Sequence, residues 1–68
     1  MHEKKIGQRF AEARRNKGLS QEEAAEALGV TRARISGIEN SDSLRSSTIR
    51  RLCALYGISI EITGGGDA

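Results

Sequence analysis

The sequence predicts an all-α fold of four short helices followed by a C-terminal β-strand, and three observations predict it. The 68 residues contain no proline, and Gly18, Gly29 and Gly57 fall where apolar segments of helical period end. Ser20 with Glu23 three residues later forms a capping box, a sharp signal for a helix start. After Gly57 the apolar period changes from helical to alternating.

The first helix is expected from about Glu3 to Lys17: Ile6, Phe10 and Ala13 recur at helical spacing, and Lys4, Lys5, Gln8, Arg9, Glu12, Arg15 and Asn16 fill the outer faces. The second starts at Ser20, turns Ala24, Ala25 and Leu28 inward and stops at Gly29. Val30 and Thr31 form the next junction. With Thr31 as N-cap, Ile35 and Ile38 give the buried spacing of a third short helix ending near Asn40. The polar stretch from Ser41 to Ser46 leads into a fourth helix, capped by Ser46 or Ser47, with Ile49, Leu52, Cys53 and Tyr56 inward. Beyond Gly57, Ile58, Ile60 and Ile62 share one face of a strand and Ser59, Glu61 and Thr63 the other. A lone strand leaves its backbone groups unpaired, so it either pairs with its copy in a second subunit or folds back over its own domain. The chain divides into a domain over 1–57, the strand over 58–63 and a disordered tail over 64–68.

Composition excludes several function classes. A chain of this length buries only roughly 60% of the surface that its unfolded form exposes, so dimerisation would help it. Phe10 and Tyr56 are the only aromatics, and the core must be aliphatic. A formal charge of +2 does not single out nucleic acid, but its distribution does more. Arg32, Arg34, Arg45, Arg50 and Arg51 face only Glu39 and Asp42 between Thr31 and Arg51, whereas Glu22, Glu23 and Glu26 have no basic neighbour between Gln21 and Leu28. Cys53 has no second cysteine to pair with and reads as a small buried hydrophobe. No apolar run approaches the ~18 residues of a membrane span, and no signal peptide stands at the N-terminus, so a cytoplasmic protein without membrane contact is expected. His2 lies among charged residues, and neither Ser36 nor the serines from Ser41 to Ser47 have a His or Lys base at a recognisable spacing. No enzyme, metal or cofactor is expected.

Two short helices joined by a tight turn containing glycine make a helix-turn-helix unit, whose first helix crosses the DNA backbone while the second lies in the major groove. The string that fills this unit is Gly18, Leu19, Ser20, Gln21, Glu22 and Glu23, then Ala25, Leu28, Gly29 and Val30, then Ile35, Ser36, Ile38, Glu39 and Asn40. It closely resembles the Cro and phage-repressor (XRE-like) helix-turn-helix family. The resemblance extends weakly back to Ile6, Phe10 and Arg14 and forward through Thr48, Ile49, Leu52 and Gly57. It implies a lambda-repressor-like fold and a dimeric bacterial transcriptional repressor that binds double-stranded DNA.

Residue by residue, the resemblance implies that Gln21 holds a phosphate through its side chain or the amide at the helix N-terminus. With Ile35 and Ile38 inward, Arg32, Ala33, Ser36 and Gly37 are left to face the bases. Arg32 is the principal candidate, because a guanidinium can bond guanine O6 and N7 in parallel. Ala33 could touch a thymine methyl. Thr31, Arg34, Asn40, Arg45 and Arg50 lie where phosphates would be reached, with sequence-independent, salt-sensitive effect. Arg14 and Glu39 occupy positions that in this family form a partly buried ion pair, with a structural role. If the Ile58, Ile60 and Ile62 strand pairs across a dimer axis, two recognition helices stand ~34 Å apart and the operator is an inverted repeat.

Three departures from the family pattern stand out. Ala24 replaces a larger aliphatic residue and thins the core. Ser41 stands where glycine follows the Glu-Asn pair, so Asn40 or Ser41 is expected to take a left-handed turn. Gly37 sits mid-helix, at a cost of ~1 kcal/mol relative to alanine, either to clear the DNA or as a tolerated residue. Within the class, the strand after the fourth helix resembles antitoxin repressors, with a toxin as further partner. The alternative from another class is a helical protein-interaction adaptor whose DNA binding is lost or partner-dependent; Arg32 and Gln21 argue against it.

Overall fold

The computed structural model describes residues 4–60 and contains four helices: α1 (Ile6–Asn16), α2 (Gln21–Leu28), α3 (Arg32–Glu39) and α4 (Ser46–Tyr56). The first helix begins later than the apolar period suggests. Lys5 keeps an extended backbone (φ −62°, ψ 152°), and its N–H donates to Gln8 Oε1 at 3.2 Å, which fixes the helix entry there. Glu3 lies outside the described residues. At the other end, Leu19 N–H reaches Arg14 O at 3.1 Å and Gly18 N–H reaches Arg15 O at 2.9 Å. This Schellman closure satisfies carbonyls that the helix leaves open.

The turn between α2 and α3 is set by local chemistry at both ends. Ser20 Oγ accepts from Glu23 N–H at 3.0 Å while Glu23 Oε1 accepts from Ser20 N–H at 2.8 Å, the reciprocal capping box. Gly29 takes φ +70°, and Val30 N–H then closes on Ala25 O at 2.9 Å. A side chain in that left-handed conformation would collide with the carbonyl that follows it, so glycine makes the turn tight. Thr31 Oγ1 accepts from Arg34 N–H at 3.1 Å and starts α3.

Three further expectations from the sequence need correction. Neither Asn40 nor Ser41 adopts a left-handed conformation; Asn40 has φ −98° and ψ 3°. Asn40 Nδ2 donates to Ser36 O at 2.9 Å and Ser41 N–H to Ile38 O at 3.1 Å, so the carbonyls are satisfied without a positive φ. The fourth helix is not capped by Ser46 or Ser47: Arg45 is its N-cap, with no side-chain capping bond. The Arg45 carbonyl accepts the first helical bond from Ile49 N–H at 3.0 Å, which places both serines inside the first turn. Finally, Ile58 and Ile60 are not in a strand. Ile58 N–H is committed to Cys53 O at 3.1 Å, closing α4, and both isoleucines pack half-buried against their own core. Ile62 and residues 64–68 lie outside the described residues.

The core gathers one face from each helix. Phe10, Ile35 and Leu52 are its most completely enclosed large side chains, with Ala13, Ala24, Ala25, Ile38, Ile49 and Tyr56 around them. Phe10 and Tyr56 meet as a tilted pair with centroids 6.4 Å apart, joining α1 to α4. Ala24 is wholly enclosed in this core. Cys53 is half-buried on the apolar side of α4. No helix among the described residues is long and apolar enough to cross a membrane.

Candidate nucleic-acid interface

Burial divides α3 into two faces. Ile35 and Ile38 are 1% and 4% exposed, while Arg32, Ala33, Arg34 and Gly37 are exposed and Ser36 is half-buried. A Cβ built on Gly37 would meet nothing within 4 Å, so the fold leaves the space in front of it open. Arg32, at the start of α3, shares a shallow depression with Arg14, Ser20, Gln21 and Glu22, the last three from the start of α2. The N-terminal ends of α2 and α3 and the exposed Arg32 guanidinium therefore border one open surface together with the Glu22 carboxylate, while the Arg14 guanidinium beneath it is committed to Glu39.

The other expected contacts sit around this unit. Arg34, Gly37 and Arg45 line a second open depression, with Ser41, Ser43, Leu44 and Thr48. This brings the arginine at the edge of α3 together with the one that precedes α4. Arg50 is exposed on α4. Thr31 and Asn40 are exposed too, but each already serves a helix end: the Thr31 hydroxyl caps α3 and the Asn40 carboxamide bonds Ser36 O. The structure does not bring all ten expected DNA contacts into one cluster.

Beneath the surface, Arg14 Nε donates to Glu39 Oε2 at 2.7 Å and Arg14 Nη2 to Glu39 Oε1 at 3.3 Å. Both residues are 8% exposed. Arg14 Nη1 also donates to Leu19 O at 2.8 Å, and Gln21 Nε2 to Glu39 Oε1 at 3.0 Å. The hydrogen bond that Arg14 donates to the Glu39 carboxylate raises the Arg14 pKa above its ordinary value. Burial raises the Tyr56 hydroxyl above its usual range; the Glu39 carboxylate adds to this and Arg14 opposes it.

Two residues outside the expected set fix the geometry. Gly7 is buried, and a Cβ there would lie 2.2 Å from Ile38 O and 2.7 Å from Glu39 O. Its N–H donates to Ser41 O at 3.1 Å, so α1 crosses the end of α3 at backbone contact. A glycine placed inside a helical apolar pattern was the available signal. Arg51 Nη2 donates to Leu28 O at 2.7 Å, tying α4 to the C-terminal end of α2. It sits in the basic run of the sequence, but that charge is turned to a helix end.

Comparison with known proteins agrees with this geometry. The helix-turn-helix family model matches residues 10–62. Two curated relatives are 44% identical over 55 residues: the HTH-type transcriptional regulator PuuR of Escherichia coli (strain K12) and the protein of the same name from Shigella flexneri. Each alignment covers 79% of this chain and 30% of the relative, so the chain spans under a third of the length of these relatives. No solved structure matches significantly. With the family model covering well over half of its length and the α2–α3 unit folded as described, the chain belongs to the helix-turn-helix family, of the Cro and phage-repressor (XRE-like) type.

Proposed function

We propose that this chain is a sequence-specific double-stranded DNA-binding transcriptional regulator that represses from an inverted-repeat operator as a homodimer. One observation carries the reading: α3 buries Ile35 and Ile38 and presents Arg32, Ala33 and Gly37 outward, beside the capped N-terminus of α2. Family membership and relatives named as transcriptional regulators support it.

In this reading α3 enters the major groove. Arg32 bonds a guanine edge, Ala33 and Ser36 contact bases, and Gly37 lets the helix approach closely. Gln21 and the α2 N-terminus hold one phosphate, and Thr31, Arg34, Asn40, Arg45 and Arg50 follow the backbone. Arg14 and Glu39 hold α1, α2 and α3 in register beneath them. A single eight-residue α3 is about 12 Å long and spans only a few base pairs, which favours two copies on one operator. The Ile58 and Ile60 side chains, half-buried at the end of the described chain, are the proposed edge of the subunit contact, with Ile62 beyond them.

The test is selection of bound duplexes from a randomised library, with the binding species sized by light scattering in the same buffer. Enrichment of an inverted repeat by a two-subunit species, lost with Arg32→Ala, is the expected result. Weak salt-sensitive binding without an enriched motif overturns the sequence-specific reading.

A further inference from the structure

Gln21 is the residue proposed to hold a phosphate, yet one of its donors is already committed inside the protein. Its Nε2 donates to Glu39 Oε1 at 3.0 Å. A carboxamide carries two N–H donors on one planar nitrogen, so fixing one fixes the direction of the other. The acceptor is itself held. Glu39 is buried, and Arg14 grips it through Nε at 2.7 Å and Nη2 at 3.3 Å, while Arg14 Nη1 is anchored on Leu19 O at 2.8 Å. Arg14 comes from α1, Gln21 from the first position of α2 and Glu39 from the last position of α3, so three helices meet on one carboxylate. Gln21, half-buried, also borders the open depression that it shares with Ser20, Glu22 and Arg32.

We infer that Glu39 is a positioning residue for DNA binding: by holding one N–H of Gln21 it aims the second into that depression, at the phosphate that the α2 N-terminus also addresses. This rests on the DNA-binding reading above. The gain is preorganisation. A glutamine free to rotate loses that freedom when it binds, whereas one already held has less to lose. The guanidinium of Arg14 makes the arrangement tolerable, because an unpaired carboxylate this near a phosphate would repel it. The buried ion pair thus supplies an acceptor for Gln21 without a net negative charge at the site.

The experiment is a double-mutant cycle on operator affinity, using the duplex selected from the library. Arg14→Met together with Glu39→Met removes the acceptor while filling its space, a kind of replacement that buried ion pairs commonly tolerate. Thermal unfolding of each variant checks the fold. Gln21→Ala is expected to weaken binding about tenfold in the natural background, as for a hydrogen bond to a charged group. In the Met/Met background the same substitution is expected to change affinity by less than about twofold, the limit of additivity for uncoupled sites. An equal loss in both backgrounds overturns the positioning role and leaves the Gln21 phosphate contact standing. No loss from Gln21→Ala in the natural background overturns the proposal and that contact together, and no operator binding by the natural chain overturns the DNA-binding reading as well. A second measurement needs no variant. In the free natural protein, one Gln21 side-chain amide proton is expected to be shifted downfield and slow to exchange, and unchanged when DNA binds; both protons at solvent-exposed positions would overturn the proposal.

Discussion

At the scale of single residues, exposure separates function from stability. Arg32 is exposed and outside the core, so Arg32→Ala is expected to leave the unfolding midpoint unchanged and to remove about 1–3 kcal/mol of discrimination at one base pair, read by anisotropy titration of matched and mismatched duplexes. Gly37 and Gly7 are expected to move in opposite directions. The fold leaves open space at Gly37, so Gly37→Ala should raise stability by about 1 kcal/mol in denaturant unfolding, while its methyl group, facing the groove, lowers operator affinity. At Gly7 a methyl group would meet the backbone of Ile38 and Glu39, and backbone cannot rotate away as a side chain can. Gly7→Ala should therefore cost at least about 1–3 kcal/mol, the usual range for overpacking, in the same unfolding assay. Neither glycine could be assigned from the sequence, because a helical pattern shows that glycine interrupts a face but not what lies opposite it.

At the scale of elements, the helix ends carry the turn that matters. Ser20 and Glu23 satisfy each other's amides, so Ser20→Ala is expected to cost about 1 kcal/mol, with the loss visible as faster amide exchange in the first turn of α2. This capping was legible in the sequence, as was the Thr31 cap, since both depend on residues three positions apart. The start of α4 was not legible. Several serines offered equivalent local caps there, and the helix begins one residue earlier, with Arg45 as its N-cap and no side-chain capping bond. The exit from α3 differed for a related reason: the Asn40 side chain answers the Ser36 carbonyl, and a left-handed residue is unnecessary.

At the scale of the whole molecule, stability and assembly depend on contacts across the chain. Tyr56 packs on Phe10 and its hydroxyl has a raised pKa, so the folded state favours the neutral phenol. The stability this contributes is present below the unfolded-state value of about 10 and is lost as pH rises through the folded-state value. The unfolding temperature is therefore expected to fall above about pH 10, and less steeply in Tyr56→Phe, measured by circular dichroism. What the sequence by itself determined is the set of features written within a few neighbouring residues: the helical periods, the glycine stops, the Ser20 and Thr31 caps, and the inward faces of α2 and α3. What only the tertiary structure decided joins residues far apart. The bonds of Gln21 and Arg14 to Glu39 and of Arg51 to Leu28 span 18, 25 and 23 residues. Resemblance alone suggested the second of these, and nothing local suggested the other two. The same holds for Ile58 and Ile60, whose alternation fits a strand equally well until the core offers them a surface to cover. Local pattern fixes the conformation of a segment, whereas the partner of a polar side chain or an apolar face is settled by whichever surface the folded chain brings against it.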